Sequence, residues 1–289
     1  MSWPLKTCLA CLVALSAAAD VGAQPAVEAA DERRFAQAIA GLKSQRPGVV
    51  DAYVIVAALD SDPVFNREAR EAGRVLASRF DAVGRTLVLA HDEGSDEADA
   101  EASPERLARA LSSVGPVMNR DEDVLVLYTT SHGSEHAGLN FRDSARGAAV
   151  IGPPQLAAML DKPGFKNRLI ILQACFSGQF VDKLAAPRTV VVTAASSMTS
   201  SFGCSAGNDW TFFGHALINQ SLRQPDTLVR QLRRAFVMIL GWEKRLGYDS
   251  SNLRIEVGTD TTGWLAALDA RGPKTATLPV GRPPAELTQ

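Results

Sequence analysis

A histidine–glycine pair, His132-Gly133, and a cysteine, Cys175, stand about 43 residues apart, each at what reads as the end of a strand. The run Leu169-Ile170-Ile171-Leu172 carries no charge and leads through Gln173 and Ala174 to Cys175, with Ser177 and Gly178 close behind. Such a run predicts a strand buried on both faces, and open α/β sheets place their sites at the carboxyl ends of such strands. An earlier apolar run, Val124 to Tyr128, leads through Thr129-Thr130-Ser131 into His132-Gly133. A thiol and an imidazole so placed can do nucleophilic chemistry. A free thiol has a pKa of about 8.5, so a neighbouring imidazole is needed to favour the thiolate, and it can later protonate a leaving amine. Gly133 has no side chain to keep its amide from a scissile carbonyl, and with the amide of Cys175 it could form an oxyanion hole. Losing one such donor costs on the order of 100-fold in rate.

Other chemistries use the same residues. His132 and His136 are four apart with Glu135 between them, and Cys175 could complete a zinc site. An i, i+4 ligand pair needs a helix, which Gly133 and the preceding strand oppose, so neither a metal nor a cofactor is expected. A disulfide between Cys175 and Cys204 is the bland alternative for an exported chain, and it would consume the nucleophile. As a free residue Cys204 reads as a buried structural thiol.

The elements that position these residues follow from periodicity. Strands are expected at Ala52 to Leu59, Thr86 to Ala90, Val124 to Tyr128, the run before Cys175, Thr189 to Thr193 and Arg254 to Val257. Helical spacing marks Glu28 to Ser44, Arg67 to Phe80, the stretch after Ser103-Pro104, Pro153 to Leu160, Trp210 to Ser221, Asp226 to Leu246 and the surroundings of Trp264. Asp60-Ser61-Asp62-Pro63 reads as a turn, and Asp92 to Glu101 as a solvated acidic loop. Strands alternating with helices predict an α/β fold with a mostly parallel sheet covered on both faces.

At the amino terminus, Lys6 and the apolar Thr7 to Ala19 resemble a signal peptide ending near Ala23, too short to span a membrane. Residues 1–23 are therefore expected to be removed, 24–268 to form one domain, and the Pro-rich 269–289 to be a disordered tail. The chain would be exported, to the periplasm or beyond the cell, with no further membrane contact. A net charge of -2 and 6% aromatic residues give no reason to expect nucleic acid as a partner.

Three blocks then carry a resemblance. Tyr128-Thr129-Thr130-Ser131-His132-Gly133, Gln173-Ala174-Cys175-Phe176-Ser177-Gly178, and Thr193-Ala194-Ala195 with Ser200-Ser201-Phe202-Gly203-Cys204 together resemble the legumain-type cysteine peptidases of family C13, nearest their bacterial exported members. The likeness runs from about Val50 to Gly258. It implies a caspase-like three-layer α/β/α sandwich with a mostly parallel six-stranded sheet, and a His132–Cys175 dyad working through an acyl-enzyme. It also implies peptide or protein substrates cleaved after asparagine, or after aspartate at acidic pH. Some members use the same dyad for transpeptidation or ligation. The pocket implied for the residue before the scissile bond uses Arg67, Gln173, Ser200 and His215. Gln173 and His215 stand where the family has acids, and Ser131 where it often has aspartate before the histidine. A pocket with Arg67 but without both acids should tolerate aspartate well. The rival is a caspase-like domain kept as a binding or scaffold module without catalysis.

Overall fold

A computed structural model describes residues 23–91 and 98–288. The expected signal peptide, but for Ala23, and residues 92–97 of the acidic loop lie outside the described residues. Among those described, no helix is long and apolar enough to cross a membrane.

The chain lays down α1 (Ala23–Ala40), β1 (Ala52–Ala58), α2 (Pro63–Arg79), β2 (Thr86–Leu89), α3 (Pro104–Val114) and β3 (Val124–Thr130). A small antiparallel sheet follows, formed by β4 (Gly133–Ser134), β5 (Gly138–Asp143) and β6 (Gly147–Ile151). Then come α4 (Pro153–Asp161), β7 (Asn167–Gln173), α5 (Val181–Leu184), β8 (Thr189–Thr193), α6 (Phe212–Gly214, running on as a π-helical stretch His215–Ser221), α7 (Leu228–Leu246), β9 (Arg254–Val257) and α8 (Thr262–Arg271). The main sheet has the order β2-β1-β3-β7-β8-β9, parallel except for β9 at the edge.

Alternation within the buried strands divides the core. Val54, Val56, Val126, Tyr128, Leu169, Ile171, Val190 and Val192 face one side, where Phe65, Ala69 and Leu76 of α2, Leu232 and Ile239 of α7 and Trp264 of α8 cover them. Tyr53, Ile55, Leu125, Leu127, Ile170, Leu172 and Val191 face the other, under Phe35 of α1, Leu107 and Leu111 of α3, Leu156 and Leu160 of α4, and Leu184 of α5. The result is the expected three-layer α/β/α sandwich.

Two segments differ from expectation. The three short strands after His132 carry glycine and alanine where strands usually carry β-branched residues, and nothing in their periodicity marked them. The Pro-rich segment after Arg271 is extended but not detached. Trp210 Nε1 donates to the carbonyl of Val280 at 2.9 Å, and the Val280 N–H donates to Asn219 Oδ1 at 2.9 Å. The Arg282 N–H donates to Asp209 Oδ2 at 2.8 Å, and the Ala285 N–H to Asn208 Oδ1 at 3.0 Å. Prolines leave only a short 3-10 turn there, Ala285–Leu287, but the rest of the extended chain still has donors and acceptors, and these are used.

Candidate active site

Parallel registry sets the site. Thr130 pairs with Gln173 and Ala58 with Thr130, so β1, β3 and β7 release their chains side by side at one edge. The strand order reverses at β1 and β3, which makes this edge the switch point where ligands bind in such sheets.

His132 leaves β3 and turns its Nε2 to Asp62 Oδ2 at 3.0 Å. Its ring stands edge-on to Phe65, with centroids 4.9 Å apart. Both partners belong to the start of α2: Phe65 lies in the first turn, and Asp62 occupies the N-cap position before Pro63. An aspartate there ordinarily accepts a hydrogen bond from the helix, worth about 1 kcal/mol. Asp62 makes no such bond. Its carboxylate serves His132 and also Arg142 Nη2 at 3.0 Å, a guanidinium it shares with Asp60. With Nε2–H donated to Asp62, the lone pair of the imidazole lies on Nδ1. Ser131, where the family often has aspartate, donates its hydroxyl to the carbonyl of His132 instead.

Cys175 follows β7. The Ser201 N–H points at its sulfur from 3.4 Å, and the sulfur lies 3.6 Å from the Ser201 carbonyl. Among the described residues the sulfur makes no hydrogen bond to His132. Phe176 turns the chain at φ 58°, a left-handed conformation that bulky residues rarely adopt, and its N–H is held by the Thr199 carbonyl at 2.9 Å. Gly133 packs on the backbone of Cys175: a Cβ there would stand 1.9 Å from its carbonyl oxygen. Only glycine fits. Both Cys175 and Cys204 are free thiols. Burial pushes the Cys204 thiol up to about 12, so it stays protonated.

The four residues assigned to the pocket are placed unequally. Arg67, on α2, gives Nη2 to the carbonyls of Ala206 and Asn208, both at 2.6 Å, and its Nε stands 3.5 Å from Asp209 Oδ1. Ser200 is exposed beside Ser201. Gln173 is wholly buried, with Oε1 3.3 Å from the Ser131 N–H and Nε2 3.9 Å from Cys204 Sγ. His215 corrects the expectation most plainly. It is 5% exposed, stacks near Trp242 at 5.7 Å and approaches the amides of Asn219 and Gln220. Burial pulls its pKa down to about 4, so it is a neutral core imidazole and not a wall of an open pocket.

Glu68, next to Arg67, has no sequence signal beyond its place on α2, and it is the site's buried acid. Tyr128 and Thr130 reach its Oε1 at 2.6 and 2.9 Å, while the Thr211 N–H and hydroxyl reach Oε2 at 2.9 and 2.8 Å. The Thr130 hydroxyl also lies 3.0 Å from Gln173 Oε1. One hydroxyl proton cannot serve two acceptors. A proton on Glu68 resolves the conflict, passing a hydrogen bond to Thr130 and on to Gln173. Burial acts in the same direction, raising the Glu68 pKa against the pull of those hydrogen bonds. Gly214 makes room: a Cβ there would meet Glu68 Oε2 at 2.0 Å.

The zinc alternative finds no matching geometry among the described residues. His136 is exposed at φ 60° and pairs with Glu135 at 3.4 Å. The His-and-acid groupings are Asp60–Asp62–His132, already bridged by Arg142, and His91–Glu101–Asp143, flanked by Arg146.

Residues 107–248 match the Peptidase C13 family. No curated protein sequence matches the chain. Among solved structures, the crystal structure of caspase-1 from Spodoptera frugiperda is a distant likeness. It has 13% identity and a TM-score of 0.48, covering 75% of this chain and 92% of that one.

Proposed function

Since the chain belongs to the Peptidase C13 family and is a cysteine-type peptidase, we propose that it cleaves peptide bonds after asparagine or aspartate with Cys175 as nucleophile and His132 as base. The observation that carries this reading is the juxtaposition of two adjacent strand ends, with Gly133 packed on the carbonyl of Cys175.

His132 Nδ1 takes the thiol proton while Asp62 holds Nε2–H and stabilises the imidazolium that forms. The thiolate adds to the scissile carbonyl, whose developing oxyanion is met by the amides of Gly133 and Cys175. Collapse breaks the C–N bond, and the imidazolium gives its proton to the leaving amine. Water, deprotonated by the same imidazole, then frees the acid from the thioester.

The leaving side has room for the departing chain. A cavity of about 540 Å³ next to His132 is lined by Asp60, Asn140, Phe141 and Arg142, and by Ala148 to Val150 of β6. An amine held there in place of water would turn hydrolysis into transpeptidation. On the other side, Arg67 supports recognition of an asparagine amide oxygen or an aspartate carboxylate. No acid stands at position 173 to repel the latter.

A peptidyl acyloxymethyl ketone ending in aspartate, and its asparagine twin, test the reading. Mass mapping should place both adducts on Cys175, formed far faster than in denatured protein. Labelling no faster than the denatured control would mark a scaffold domain instead. Reporter peptides add the specificity test, since a large preference for asparagine over aspartate at all pH values contradicts the aspartate-tolerant pocket.

A further inference from the structure

We propose that the Pro-rich segment Pro273–Thr288 is a brace for the loop that holds Arg67, and that Asn208 is the positioning residue through which it acts on substrate selection. The inference rests on the reading of Arg67 as the cation of the specificity pocket.

The loop from Gly203 to Trp210 lies between α2 and the brace. From α2, Arg67 takes the carbonyls of Ala206 and Asn208 and approaches Asp209. From the brace, the Arg282 N–H donates to the same Asp209 carboxylate, and Trp210 is held by Val280. Asp209 is thus shared between the two arginines, Arg67 and Arg282. Asn208 joins all three parts. Its carbonyl receives Arg67, its Nδ2 reaches the Gly203 carbonyl at 3.0 Å and Glu286 Oε2 at 3.2 Å, and its Oδ1 receives the Ala285 N–H at 3.0 Å. It is only 4% exposed, so these partners take the place of water.

The loop has no regular secondary structure of its own to fix it. Gly203 sits at φ 85°, the bonds inside the loop are turn-like, and Cys175 is contacted by Ser201 just upstream. A loop in that state holds an arginine at one angle only if something backs it. The brace supplies the backing, and it does so from beyond the sandwich, after α8. The partners it uses are those on which the Arg67 geometry depends.

The test uses the full chain. Asn208→Asp keeps the acceptor for Ala285 but loses both Nδ2 bonds and sets a second carboxylate against Glu286. It should raise KM for the asparagine and aspartate reporters about tenfold while kcat stays within about twofold, the scale of a buried polar group left without its partner. Amide hydrogen exchange should quicken in residues 203–211 and 273–288 together. Adding Glu286→Gln, whose amide can donate to the new aspartate, should restore most of the KM and the slow exchange. Ala285→Pro, which removes only the brace's N–H at a position that tolerates proline, should raise KM in the same way. A fall in KM or a rise in kcat/KM in these variants would make the segment an inhibitor and overturn the proposal. Faster exchange with unchanged KM would also overturn it, leaving the contact as structural support alone. A wild type that cuts neither reporter overturns the function reading and this inference together, whereas a wild type that cuts both while Asn208→Asp matches it overturns only the brace.

Discussion

Asp62 makes an ordinary helix start part of the candidate site. Its carboxylate is spent on His132 and Arg142 and leaves the first turn of α2 uncapped. Asp62→Asn keeps a side chain equally suited to a helix start, so stability should change little. The same change removes the anion that stabilises the imidazolium, and kcat should fall on the order of 100-fold in a reporter assay. Glu68 gives a prediction in pH. Its folded-state pKa is raised by burial, so the folded protein binds its proton more tightly than the unfolded chain does. That contribution is complete below the ordinary carboxylate range of about 4.3 and is lost as pH rises towards the folded value, at up to about 1.4 kcal/mol per pH unit. Glu68→Gln cannot ionise. Denaturation curves should therefore show the wild type losing ground to Glu68→Gln as pH rises from 4, and a parallel pair of stability profiles would contradict a buried neutral acid. Gly133→Ala is the third test at this scale. Its Cβ would overlap the Cys175 carbonyl, so the strand ends must part, with a cost of about 1–3 kcal/mol and loss of peptidase activity.

Elements explain why some of this was legible in the sequence and some was not. The strand leading to Cys175 and the strand leading to His132 are buried on both faces, and such strands announce themselves as uncharged aliphatic runs. α2 was legible only from Arg67 onward, because Asp60-Ser61-Asp62-Pro63 has the composition of a turn. The helix in fact starts at Pro63, with Asp62 at its N-cap and Phe65, Arg67 and Glu68 following on its first two turns. Their roles differ because each points to a different neighbour, which composition does not encode. The β5–β6 hairpin was not legible, since Gly138, Gly147, Ala148 and Ala149 are weak strand formers. Its geometry depends on Gly138 at φ 141°, where a Cβ would stand 2.2 Å from the Ile151 carbonyl. Gly138→Ala should loosen the hairpin and raise KM for substrates extended beyond the scissile bond, with less effect on substrates that end in a small leaving group.

At the scale of the whole molecule, the sandwich is closed by polar ties as well as by its two apolar layers. Arg79, on the last turn of α2, is 1% exposed and donates to Gln231 of α7 at 2.8 Å and to Asp269 of α8 at 2.5 Å. Arg79→Leu leaves Gln231 Oε1 without the arginine and Asp269 with only the Leu228 N–H, and should cost about 3–5 kcal/mol in a denaturant titration, while activity of the remaining folded protein is retained. The Pro-rich segment continues from α8 around this end of the molecule to the pocket loop. Its composition resembled a disordered end because proline excludes periodic structure. Docking through single backbone groups to Asn208, Asp209, Trp210 and Asn219 needs no periodicity, so no pattern could reveal it. The sheet thus fixes where His132 and Cys175 stand, and segments far apart in the chain meet at the loop that holds Arg67.

The most direct test of the central claim is the steady-state cleavage of paired asparagine and aspartate reporters by the wild type and by Cys175→Ala, folded to the same extent by circular dichroism. With Cys175 as the nucleophile, the substitution should lower kcat/KM by 10,000-fold or more, roughly the loss seen when the attacking group of a covalent mechanism is removed. Cleavage by Cys175→Ala at a rate close to that of the wild type would contradict the account.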